Sequence, residues 1–164
     1  MCIYMRAIIE WKLQLHEAAN KVKDILLSLI KVYNWIETDS VLMNTFTNFL
    51  RETCSLEVVA KSCVLQEYNG KPLMMAILKK AQSISAKHPH TDSNLVLLNN
   101  LLDLFIAYAN MVEIRLLLKN AKILQMLEVF HPQINKNRKT SWNEATLIWM
   151  KFFEKWSQFE DIDC

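Results

Sequence analysis

Apolar residues recur at steps of three and four along most of this chain, the spacing that an α-helix turns into one continuous face. Leu15, Ala19, Val22, Leu26, Leu29 and Tyr33 predict one long helix, or two stacked ones, over residues 3–35. Ile25, Ile30 and Val32 widen the stripe, so this helix is expected to be flanked on two sides, with Gln14, Glu17, Lys21 and Asp24 on its wet side. Glu37-Thr38-Asp39-Ser40 is a loop with an N-cap signal. The helix it opens covers 41–53 and should turn Leu42, Phe46, Phe49 and Leu50 inward. Ser55 can cap a short helix from Leu56 to Gln66, with Cys63 on its apolar face beside Val59 and Ala60. Asn69-Gly70 is a turn, and Pro72 suits the first turn of a helix because its missing N–H has no intrahelical role there. That helix runs to Ser85 with Met74, Ile77, Leu78 and Ala81 facing in, and Pro89 ends any helix before it.

The stretch from Leu95 to Phe159 organises the rest. Thr91-Asp92-Ser93 opens a helix whose Leu95, Leu98, Leu102, Phe105 and Ala109 share one face. A short helix follows from Glu113 to Lys119, ending near Asn120, and a medium one carries Ile123, Leu124, Leu127 and Phe130 up to Pro132. Residues 133–140, QINKNRKT, read as a polar loop. Ser141 and Glu144 then form a capping box ahead of Ala145, Ile148, Trp149, Phe152, Trp156 and Phe159, the strongest apolar stripe of all. No segment reads well as a strand.

Composition agrees. Among 164 residues there are one glycine and three prolines, too few turn formers for an all-β chain of this size, and 52% are hydrophobic, enough for a substantial core. A net charge of +2 argues against a dedicated nucleic-acid surface. No apolar run approaches the ~20 residues of a membrane span, and the first residues lack a cleavable signal pattern. Cys2, Cys54, Cys63 and Cys164 form no C-x-x-C pair and no zinc spacing, so free thiols and a cytoplasmic location are expected.

Nothing points to reaction chemistry or to a cofactor. His88-Pro89-His90 offers two imidazoles without the further ligands a zinc site needs, and the plain reading is an interhelical loop. His131 sits at a helix end, where partial positive charge is favourable. Cys54 and Cys63 have no histidine near them in sequence, no G-x-S-x-G elbow exists, and one glycine cannot build a phosphate loop. Two features suit binding instead. Lys136, Arg138 and Lys139 make the 133–140 loop basic, and Trp142, Trp149 and Trp156 recur every seven residues on one helix side. A solvated loop and a packed core are the bland alternatives for the two.

A weak internal repeat is also present. Phe49-Leu50, Phe105-Ile106 and Phe152-Phe153 each end an apolar helix, and each is followed after a break by Glu57, Glu113 or Glu160. The stretch from Leu98 to Leu127, with Glu113, Arg115, Leu117, Leu118, Ala121, Ile123 and Leu124, resembles the end of one armadillo repeat running into the next. That family usually has glycine where Asn120 or Ala121 stands, and Asn is tolerated in a left-handed helix cap. Residues Leu95 to Asp161 are further similar to the C-terminal part of the rotatin family, large armadillo-like proteins of centriole and cilium.

The expectation is therefore an all-α, armadillo/HEAT-like right-handed stack of seven to eight helices forming a single helical-repeat domain over 1–164. Within it, 1–36 is an N-terminal long helix or helix pair, 39–86 a first repeat-like unit, and 92–161 the second and third. The resemblance implies a non-enzymatic scaffold for other proteins, centriolar or cytoskeletal, at the centrosome or the base of the cilium, and a piece of a longer chain. Lys136, Arg138, Lys139, Trp142, Trp149 and Trp156 are its candidate partner-binding residues, and self-association through an uncovered repeat end is expected. A compact helical bundle serving as an adaptor or signalling factor is the alternative.

Overall fold

The computed structural model describes residues 3–54, 67–68, 70–87, 91–128 and 141–160. Eight helices and one minimal strand pair make up the described residues: α1 (Ile3–Lys31), α2 (Tyr33–Ile36), α3 (Ser40–Thr53), β1 (Glu67–Tyr68), β2 (Lys71–Pro72), α4 (Leu73–Ala86), α5 (Asp92–Tyr108), α6 (Val112–Asn120), α7 (Ile123–Met126) and α8 (Ser141–Glu160). The all-α expectation holds, with one correction. Glu67–Tyr68 pairs antiparallel with Lys71–Pro72 around Gly70, whose φ of +80° suits a residue without Cβ. A two-residue ladder is too short to leave a period-two pattern, so the sequence did not announce it.

Helix α5 is the centre. Leu95, Leu97, Leu98, Leu101, Leu102, Leu104, Phe105 and Tyr108 are all buried, so the helix is apolar nearly all round, as a helix enclosed by neighbours must be. It packs chiefly on α3, α8 and α4. Polar ties fix the direction of the first pairing. Asn100 Nδ2 donates to Asn44 Oδ1 at 3.2 Å near the start of α3, and the Tyr108 hydroxyl donates to the Leu50 carbonyl at 2.8 Å near its end. Positions therefore rise together along α3 and α5, and the two helices run side by side in the same direction. α8 follows suit on the other side: Leu95 and Val96 share a groove with Leu147, and Asp103 meets Lys151 at 3.5 Å and Lys155 at 3.8 Å.

The caps follow from local chemistry. Asp39 Oδ1 accepts from the Val41 and Leu42 amides at 2.9 and 3.1 Å, and Thr91 Oγ1 accepts from the Asn94 amide at 3.3 Å, so orphan donors at both helix starts are satisfied. Pro72 stands one position before α4, as its cap, and Met74, Ile77, Leu78 and Ala81 are buried as expected. Five expectations are corrected. Leu15 and Leu42 are 46% and 51% exposed, while Met43 takes the inward place on α3. Ile25 and Val32 are exposed as well, so α1 is not flanked on the second side. The left-handed residue between α6 and α7 is Lys122, with φ 56° and ψ 49°, not Asn120 or Ala121. α7 is a single turn rather than a medium helix, because Leu127 and Glu128 leave the helical register. The short helix proposed over 56–66, Cys63, His88 to His90, Phe130, His131 and the loop at 133–140 lie outside the described residues.

Candidate interaction surface

Among the described residues the first half of α1 is the least covered part. From Ala19 onward one face of the helix is packed: Leu26 and Ile30 are buried, and Ala19, Val22 and Leu29 lie against the core. Counting back from Leu26 by steps of four, three and four, the same face passes through Val22, Ala19 and Leu15 to Trp11 and Ile8. These last three are exposed, Trp11 at 60%. Every described side chain from Ile3 to Ala18 is exposed, so an apolar stripe continuous with the core face runs on beyond the body that covers it. A second stripe, Met5, Ile9 and Leu13, runs beside it at steps of four and is equally open. Contiguous exposed apolar side chains of this kind mark sites of contact with another molecule.

The residues singled out from the sequence divide three ways. Lys136, Arg138 and Lys139 fall outside the described residues, as does the side chain of Trp142. Trp156 is core: it is 1% exposed, its ring stacks on Phe152 at 5.7 Å, and it tilts against Phe159 at 6.1 Å. It is therefore unavailable to a partner, and this corrects its place among the binding candidates. Trp149 is half-buried and stacks on Phe153 at 5.1 Å with ring planes 6° apart, giving α8 an aromatic pair at its surface. A seven-residue spacing keeps the tryptophans within about 20° of one another per step, so Trp149 and Trp156 lie near one side of α8 and differ in what the fold packs against each position along the helix. Between α5 and α8 lies a shallow apolar groove of about 290 Å³ lined by Leu95, Val96, Asn99, Leu147, Ile148 and Lys151.

Two buried polar groups show what the remaining sites can do. Arg115 is 4% exposed; its Nη1 donates to the Ala109 carbonyl at 2.5 Å, and its guanidinium lies 5.7 Å from the centre of the Phe159 ring. It ties the end of α5 to α8 through α6, a structural duty that explains why a charge follows the break after Ala109. A cavity of about 350 Å³ lies between α2, the strand pair and α4, bounded by Tyr33, Glu37, Tyr68, Lys71, Met75 and Lys79. Tyr33 packs on Phe46 at 5.9 Å and edge-on against Tyr68 at 5.3 Å, and its hydroxyl finds no hydrogen-bond partner among the described residues. Burial, with smaller contributions from Glu37 and Tyr68, holds this phenol well above its usual range. Cys54 donates from Sγ to the Ala107 carbonyl at 3.1 Å, and burial pushes its thiol up, away from nucleophilic thiolate.

Among the described residues no group of His, Cys, Asp and Glu is placed to hold a metal ion, and no helix is long and apolar enough to cross a membrane. Compared with known proteins, the chain matches no family model, no curated protein and no solved structure.

Proposed function

We propose that this chain is a non-enzymatic scaffold that binds other proteins, with the open face of α1 as its main docking surface. The observation that carries the reading is the continuation of the packed face of α1 into exposed Ile8, Trp11 and Leu15. An amphipathic helix laid along that stripe extends the helix packing that the chain itself uses from Ala19 onward. The side-by-side, same-direction arrangement of α3, α5 and α8 supports an armadillo/HEAT-like stack, because equivalent helices of successive repeats lie that way and each leaves a face for its neighbour. The three positions at which the sequence hints at a repeat, Phe49, Phe105 and Phe152, fall on these three helices. The similarity of residues Leu95 to Asp161 to the rotatin family suggests centriole assembly or ciliary structure as the setting, in the cytoplasm at the centrosome or cilium base.

The test is affinity capture from dividing-cell extract with the full chain, identified by mass spectrometry. The bait is compared with Ile8→Lys/Leu15→Lys and with a triple change of Lys136, Arg138 and Lys139. Centriolar proteins captured by the parent chain and lost with the α1 variant support the reading; capture that survives both variants removes both surfaces from it.

A further inference from the structure

The second stripe of α1 carries a pattern that the first lacks. Met5, Ile9 and Leu13 follow one another at steps of four, and Arg6 and Glu17 border them along one edge. Ile9 and Leu13 are placed symmetrically about Trp11. Arg6 and Glu17 are symmetrical about nearly the same point, half a residue further on. When two copies of such a helix are laid antiparallel across that point, each Ile9 meets a Leu13 and each Arg6 meets a Glu17. The Ile9/Leu13 and Arg6/Glu17 pairs are thus centred within half a residue of each other, with Met5 outside the matched set, and two such pairs are self-complementary under a two-fold axis, which is what an isologous contact requires.

We propose that the Met5–Ile9–Leu13 side of α1 pairs antiparallel with the same segment of a second copy of this chain, with Arg6 of each chain facing Glu17 of the other. This deepens the scaffold reading above and rests on it, since the Ile8–Trp11–Leu15 stripe stays free for a different partner. The ridge made by residues four apart is the one that interdigitates when two helices pack. All five side chains of the contact are exposed and ready to meet a partner. Lys12 and His16 border the opposite edge, where the long stem of Lys12 carries its ammonium out to water. Three apolar side chains and two charged stems make a small contact, at or below the lower size limit for a specific interface. The pair is accordingly a reversible one rather than obligate.

Sedimentation velocity of the full chain over a wide concentration series reads the contact directly. The parent chain should show a reversible monomer–dimer equilibrium. Arg6→Glu and Glu17→Arg, each alone, should weaken it by about tenfold or more, because each places like charges across the edge twice. Mixing the two variants in equal amounts should restore the dimer as a mixed pair, since one chain then carries two carboxylates on this edge, the other two guanidinium groups, and opposite charges meet at both ends. Both substitutions lie on exposed helix positions, and an unchanged melting temperature verifies the fold. A parent chain that stays monomeric throughout, single variants that dimerise as well as the parent, or a mixture that does not recover would each overturn the pairing. Capture of partners through Ile8 and Leu15 by a monomeric chain would overturn this pairing and leave the scaffold reading intact.

Discussion

Tyrosines 33 and 108 allow one chemical deletion to be tried in two opposite settings. Both rings are buried, and replacing either residue with Phe removes one oxygen without creating a large void. The Tyr108 hydroxyl donates to the Leu50 carbonyl at 2.8 Å and lies 3.3 Å from the Thr53 hydroxyl. Thr53 also donates to the same Leu50 carbonyl at 2.8 Å, so that acceptor keeps a partner when Tyr108 is changed. Tyr108→Phe should therefore cost about 1 kcal/mol, the net value of one neutral hydrogen bond, rather than the larger penalty of an orphaned group. The Tyr33 hydroxyl has no partner among the described residues to lose. Removing it lifts a desolvation penalty of about 1–3 kcal/mol, part of which the fold already relieves by relaxation, so Tyr33→Phe should stabilise the chain by about 1 kcal/mol.

The assay is urea unfolding followed by far-ultraviolet circular dichroism, with a common slope for all three proteins, so that stability differences read directly as midpoint shifts. The pH dependence adds a second check. The folded phenol of Tyr33 is held above its ordinary value, so its contribution is fully present below the unfolded pKa of about 10 and is lost as pH rises beyond it. The parent chain should lose stability above that point more steeply than Tyr33→Phe does. A destabilised Tyr33→Phe variant would mean that the hydroxyl has a partner, and an unchanged alkaline limb would mean that the phenol is not held above its ordinary value; either outcome refutes the reasoning.

Two further stability predictions test the helix packing, beside the capture and sedimentation experiments already described. Trp156→Ala should cost about 3–5 kcal/mol, as deletion of a fully buried aromatic does, and Trp149→Ala distinctly less; equal midpoint shifts in urea would refute the different burial of the two rings. Arg115→Met keeps the apolar stem but leaves the Ala109 carbonyl without its charged donor, and a loss of about 2 kcal/mol is expected in the same assay; an unchanged midpoint would refute its role as a tie between α5 and α8.

The sequence was most legible where packing is regular. α4 and α5 declared themselves through their three-and-four spacing, and Asp39 and Thr91 through cap chemistry, since both signals are local. What it could not give was coverage. Leu15 belongs to the same stripe as Leu26, yet only the fold decides that one is exposed and the other buried. The outward turn of Leu42 and the inward turn of Met43 are one register step apart, within the reach of a boundary error. The left-handed position after α6 went to Lys122 because the helix runs through Asn120 and the chain turns later than the armadillo resemblance suggested. Of the candidate site, the basic loop and the tryptophan side were chosen by residue type, and residue type does not separate Trp149 from Trp156. The open face of α1 was not read from the sequence: the extra width noted there lies at Ile25, Ile30 and Val32, whereas Ile8, Trp11, Met5, Ile9 and Leu13 sit in the first half of the helix, where only the fold shows that nothing covers them.

The same-direction pairing of α3 with α5 also sets a schedule for folding during synthesis. Thr53 and Tyr108 meet across 55 residues of chain. At ~5–20 residues per second, α3 would emerge roughly 3–10 s before α5 arrives to cover it. Through that interval Met43, Phe46 and Leu50 have α1, α2 and the following segments for shelter but not the central helix, although they are sealed in the finished fold. A chain built this way exposes each apolar face until the next central helix is made, so slow synthesis through residues 55–108 lengthens the period in which aggregation competes with folding.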